Sequence, residues 1–311
     1  MRTTGVKATL LLSLATLCAP AFGANPARPG TVNYVEGSAS LAGQVITDHS
    51  VGSAELEPGQ VLSTQQGKAE ILLTPGVFLR LDDDSAVKMV SPDLTYTAVD
   101  LEQGRAMVEV DQIYKQNDIQ VVDDGVPTQL LKTGLYEFNA NGGNTMVFQG
   151  EAAVNEGENH WRVVKAHHEL ALAARDSMKP QKFDTDAAEG ELYNWSSLRS
   201  QYLAQANSQI AGEYAGVSSF VPGWYWDPYL WNYTFIGAGP FWSPFGWGFY
   251  PPWYFGGGFY GRGSYGRGFY GRGSYGRGFE GHGMGGGFHG GGFGGGFGGG
   301  GFHGGGGGGH R

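Results

Sequence analysis

Between residues 31 and 173 the apolar positions come in short alternating runs. Val77, Leu79 and Leu81 alternate with Phe78 and Arg80, and Ala106, Val108 and Val110 alternate with Met107 and Glu109. A period of two sends successive side chains to opposite faces, the mark of a strand, and predicts that Val77, Leu79, Val108 and Val110 face inward. Thr74-Pro75-Gly76 separates two such runs and reads as a hairpin turn, with Pro setting one dihedral and Gly supplying a positive φ. Asp82-Asp83-Asp84-Ser85 then reads as a second, solvated turn before a third antiparallel strand at Val87-Lys88-Met89-Val90.

A motif of Gly, any residue, Ala, any residue, aliphatic recurs four times: G-S-A-S-L from Gly37, G-K-A-E-I from Gly67, G-R-A-M-V from Gly104 and G-E-A-A-V from Gly150. Each Gly is expected to end a turn, with the Ala and the aliphatic residue facing inward on the strand that follows. The copies stand 30, 37 and 46 residues apart, too irregular for a solenoid. The expected class is mainly β, an antiparallel sandwich or roll over residues 25–182.

After Lys182 the period changes. Asp184, Thr185 and Asp186 offer capping oxygens. Leu192, Trp195, Leu198, Tyr202, Ala206, Ile210 and Tyr214 recur every three or four residues, which predicts one amphipathic helix over 184–216 with that stripe docked. Residues 217–255 hold six of the eight Trp among six Pro, a density that leaves no room for a helix. From Gly258 a ten-residue unit, G-F-Y-G-R-G-S-Y-G-R, occurs twice in tandem. Residues 256–311 carry 32 of the 56 Gly, a composition expected to stay disordered because it offers little apolar surface to bury.

Charge follows the same division. The tail holds five Arg and one Glu, so the rest of the chain carries −13 of the net −9, a field that repels nucleic acid. Residues 1–23 combine Arg2 and Lys7 with an apolar run from Ala8 to Leu17 and small residues at Ala19, Ala21 and Gly23, which predicts a signal peptide. Its removal takes away Cys18, the one cysteine. No other run reaches the length of a membrane span.

The stretch G-Q-V-L-S-T-Q-Q-G-K-A-E-I-L-L-T-P-G-V-F-L-R-L-D-D-D-S-A-V-K-M-V (Gly59 to Val90), with V-D-L-E-Q-G-R-A-M-V-E-V from Val99 and V-F-Q-G-E-A-A-V from Val147, resembles the FecR family of bacterial cell-envelope proteins. The resemblance covers residues 31–172 and implies an all-β envelope domain that binds protein. Well-understood members of that family relay an iron-uptake signal to a sigma factor through a cytoplasmic N-terminal domain and one membrane helix. Neither is expected in this sequence.

No catalytic constellation is legible: no Ser sits in a G-x-S-x-G elbow, and no phosphate loop follows Gly104 or Gly150. The reading is no enzyme, no cofactor and no metal. The Asp82 to Asp84 run lacks the spaced ligands of a calcium loop, and the adjacent His167 and His168 would point apart on a strand.

Candidate interaction residues are of two kinds. Trp224, Tyr225, Trp226 and Trp231 offer aromatic faces for sugar rings or for packing. Arg262, Arg267, Arg272 and Arg277, interleaved with Tyr, offer charge and cation–π contacts to anionic envelope polymers. The expectation is an exported protein, periplasmic or on the cell surface, binding or scaffolding an envelope protein or an anionic envelope polymer. Glycan binding through the Trp segment and envelope signal relay are the alternatives.

Overall fold

The computed structural model describes residues 26–158, 160–172 and 179–256. The expected signal peptide and the glycine-rich tail lie outside the described residues. Strands β1 (Val32–Leu41), β2 (Gln44–Ile46), β3 (Val61–Leu72), β4 (Val77–Leu81), β5 (Ala86–Pro92), β6 (Tyr96–Gln103), β7 (Arg105–Val110) and β8 (Asp118–Asp123) are followed by β9 (Val126–Leu130), β10 (Gly134–Asn139), β11 (Asn144–Gln149), β12 (Glu151–Gly157), β13 (His160–Lys165), β14 (His168–Ala171) and β15 (Gln181–Lys182).

All fifteen join one sheet in the order β13-β12-β9-β8-β6-β5-β3-β4-β7-β10-β11-β14-β15, with β1 on β3 and β2 on β1. A sheet this wide curls on itself, and one apolar cluster unites both of its ends: Val154 and Val164 share it with Val121, Leu79 and Leu170. The mainly β roll is therefore observed. One pair departs from the antiparallel expectation, since β6 and β8 run parallel.

Val77, Leu79, Val108 and Val110 are wholly buried in that cluster, as their alternation predicts. So are Ala69, Ile71, Ala106, Val108, Ala152 and Val154 of the glycine-led motifs. The glycines themselves divide. Gly104 (φ +77°) and Gly150 (φ +95°) lie between strands, but Gly37 and Gly67 face each other inside the β1–β3 pair. A Cβ on Gly37 would sit 2.8 Å from the Gly67 Cα, so those two glycines permit a close backbone approach at a bulge.

The Asp run also differs from expectation. Asp82 is 6% exposed and held 2.6 Å from Lys68, with Arg105 at 3.6 Å, and only Asp83 and Asp84 face solvent.

After the sheet come α1 (Thr185–Ala188), α2 (Glu191–Glu213), β16 (Gly223–Asp227), β17 (Asn232–Ile236), β18 (Phe241–Trp242), β19 (Gly248–Phe249) and α3 (Trp253–Gly256). The single helix expected over 184–216 is thus two. Asp184 caps α1 through Asp186 and Ala187, and Gly190 starts α2. The proline-rich segment ends in one helical turn, α3, because Pro251 and Pro252 precede it at positions where a missing N–H costs nothing.

Helix α2 buries only part of the apolar stripe read from the sequence: Leu192, Ala206 and Ile210 are buried, Trp195 is half-buried, and Leu198, Tyr202 and Tyr214 are exposed. Leu198 and Tyr202 are 47% and 41% exposed, whereas Ser196, Arg199, Ser200 and Asn207 are buried beside Leu192, Leu203 and Ile210. The polar face is turned inward because the sheet surface beneath it is itself charged.

Candidate functional site

Glu70 on β3 and Arg80 on β4 are direct cross-strand partners, and Glu109 lies diagonally across on β7. Alternation puts all three on the face of the sheet opposite the main core. Arg80 Nε meets Glu70 Oε2 at 2.7 Å and Arg80 Nη1 meets Glu109 Oε2 at 2.6 Å, with all three side chains fully buried. Helix α2 closes the cluster. Arg199 Nη2 reaches Glu70 Oε1 at 3.1 Å, and Ser200 Oγ donates to Glu109 Oε1 at 2.6 Å.

Burial works against the charge of Glu70, but Arg199 and Arg80 outweigh it and hold its carboxyl below the usual value. Burial and then Glu109 push the Asp111 carboxyl well above the usual range. The two guanidiniums, Arg80 and Arg199, face the carboxyls of Glu70 and Glu109, so opposite charges are matched inside the fold.

The cluster also fixes the hairpin β16–β17. Asn33 Nδ2 donates to Glu70 and to the Tyr233 carbonyl, and the Tyr233 N–H donates back to Asn33 Oδ1 at 2.7 Å. Thr234 Oγ1 bonds the Leu203 carbonyl, and Asn207 bonds the Phe235 carbonyl and the Tyr250 N–H. Beneath these bonds Leu72 and Phe78 of the sheet pack with Leu203, Tyr233, Phe235 and Phe249.

Of the aromatic candidates, Trp224 and Trp226 are partly buried against that cluster, on one face of β16. Trp226 lies over Gly52, where a Cβ would stand 2.8 Å from its ring, and makes edge contacts with Trp231 and Tyr233 at 5.2 and 5.0 Å. Tyr225 points the other way, stacked on Phe220 and edge-on to Tyr214. The four do not form one flat platform: Trp224, Trp226 and Trp231 form a strip along one face, and Tyr225 belongs to another cluster. Arg262, Arg267, Arg272 and Arg277 lie outside the described residues.

Among the described residues the most exposed rings are Tyr229 (77%), Trp242 (70%), Trp253 (59%), Tyr254 and Trp231 (53%). One cavity of about 540 Å³ is lined by Val217, Phe220, Pro252 and Trp253, and another of about 420 Å³ lies between Arg28, Pro75, Leu94, Trp224 and Tyr233. Sequence reasoning missed Tyr229, Arg28 and the Glu70, Arg80, Glu109, Arg199 cluster. The signal for the cluster was present: three charged residues on the alternate positions of otherwise apolar strands.

No group of three or more ligating side chains suited to a metal occurs among the described residues, and no described helix is long and apolar enough to cross a membrane.

The sheet is thus an all-β domain capped by its own helix and aromatic hairpins. Residues 60–158 match the FecR protein family, so the chain carries a FecR domain. No curated protein matches the chain. Two crystal structures of a "putative anti-sigma factor" from Parabacteroides distasonis ATCC 8503, at 2.50 and 1.65 Å, share 11% and 13% identity with it at a TM-score of 0.35. They cover 40% and 42% of this chain, which spans 60% and 65% of theirs. That level of likeness says nothing about activity or partner.

Proposed function

We propose that this is a non-enzymatic, exported cell-envelope protein whose FecR domain is a scaffold holding an aromatic face against another envelope component. One observation carries the reading. A buried ion pair and a buried hydrogen bond fasten α2 to the sheet and Asn33 hydrogen-bonds the β16–β17 hairpin to it, yet Tyr229, Trp231 and Trp242 stay 53 to 77% exposed. Large aromatic rings held out on a rigid support are the residues that dominate recognition surfaces. Export is supported by the basic and apolar pattern of residues 1–23.

Site-specific photo-crosslinkers at Trp242, Trp231 and, as control, the 81% exposed Val45 test it in intact cells. Adducts to a defined envelope component from the aromatic positions and not from Val45 are expected. No adduct from either aromatic position overturns the reading.

The FecR match over 60–158 supports a second reading, relay of an envelope signal. Deleting the gene would then change a sigma-factor-dependent set of transcripts, and an unchanged transcriptome would exclude it.

A further inference from the structure

The cavity of about 420 Å³ differs from the rest of the aromatic face in carrying a charge. Its walls are Pro29, Pro75 and Leu94, its ring surfaces are Trp224 and Tyr233, and Arg28 lines it as a cation. Arg28 is exposed and has no carboxylate partner among the described residues, in a chain whose non-tail part carries −13. A cation left unpaired on so acidic a body is the group an anionic ligand finds. The Trp224 ring lines the cleft beside Arg28, while its Nε1 is enclosed and has no acceptor among the described residues.

The strip continues beyond the cavity. Trp224 and Trp226 occupy alternate positions of β16, so they share a face with Tyr233, and Trp231 follows at the hairpin end. Trp226 meets Tyr233 and Trp231 edge-on at 5.0 and 5.2 Å, so aromatic surface continues from the cleft to the hairpin end, and a cation beside such surface suits a sugar that carries an acid. The volume falls within the usual range for small-ligand sites, roughly 300–1,000 Å³.

We infer that the cleft between Arg28 and Trp224 binds an acidic saccharide, with a carboxylate on the Arg28 guanidinium and sugar faces on Trp224 and the rings that follow it. A guanidinium pairs with a carboxylate through two parallel N–H bonds, and a sugar's C–H face packs on an aromatic ring. This rests on the proposed function and names the ligand class for the same face.

The test is titration of the full chain with trigalacturonate, read by calorimetry and tryptophan fluorescence, beside the neutral maltotriose. Binding of the acidic sugar, with about tenfold weakening in Arg28→Gln and abolition in Leu94→Glu, is expected; both positions are exposed, so the fold is kept. Equal binding of maltotriose, an unchanged Arg28→Gln, or binding only of a proline-rich peptide overturns the inference. If no saccharide binds while crosslinkers at Trp242 and Trp231 still capture an envelope component, the ligand class is wrong and the scaffold reading stands. If both fail, both fall.

Discussion

Arg199 and Glu70 stand 129 residues apart in the chain and meet at 3.1 Å with both side chains shut from water. The guanidinium of Arg199 also lies 3.9 Å from the centre of the Tyr34 ring, so one side chain joins α2 to both β3 and β1. This contact makes the helix part of the FecR sheet's own structure.

The cluster should be costly to break from its centre. Arg80→Met leaves Glu70 and Glu109 buried without their shared cation, and a loss of about 3–5 kcal/mol is expected in urea melts. A loss below about 1 kcal/mol would mean that water reaches the cluster and screens it.

In the main core, Leu79 is wholly buried in the apolar cluster that unites the two ends of the sheet. Leu79→Ala should cost about 2–5 kcal/mol, because the surrounding strands relax little. A surface-level loss, under about 0.5 kcal/mol, would place the side chain on the wrong face.

Acid–base behaviour isolates one buried carboxyl. Burial, and then the neighbouring Asp124, raise the Asp123 pKa from 3.8 to about 6. The folded chain therefore holds this proton more tightly than the unfolded chain does. The stability it contributes is fully present below pH 3.8 and is lost as the pH rises through about 6. Asp123→Asn should match the parent protein at the acid end and exceed it above pH 6. A constant difference between the two across that window would refute the assignment.

Two glycines separate backbone conformation from crowding. Gly43 (φ +78°) has open space around it, so Gly43→Ala should cost about 1–2 kcal/mol for the left-handed conformation alone. Gly104 (φ +77°) would place a Cβ 2.6 Å from the Ser85 Cα and 2.7 Å from the Asp84 carbonyl oxygen. Gly104→Ala should therefore lose clearly more in the same melts, and equal losses would argue against the tight turn.

For the tail, replacing Arg262, Arg267, Arg272 and Arg277 by Gln should abolish binding to anionic envelope polymer if that segment is adhesive. Native binding should also weaken steeply as salt shortens the screening length to about 3 Å at 1 M. Identical fractionation of the two proteins at every ionic strength would make the segment a spacer.

Much of this molecule is determined locally. The alternation around Val77 to Leu81 and Ala106 to Val110 specifies strands and their inward residues, because a strand's side-chain period is two whatever it packs against. The turn at Thr74-Pro75-Gly76 follows from the dihedrals those residues favour.

What the tertiary structure alone decided is which surface covers which. Leu198 and Tyr202 continue an apolar stripe on α2 yet stay outside, and Arg199, Ser200 and Asn207 go inside. Their preference depends on Glu70, Glu109 and the hairpin backbone, supplied by strands about 90 to 130 residues earlier and by a hairpin about 30 residues later. A helix's own periodicity carries no record of the charge on its future partner. The same holds for Trp224, Tyr225 and Trp226: the strand period divides them between two faces, but only the packing of that hairpin on Gly52 and α2 decides what each ring packs against.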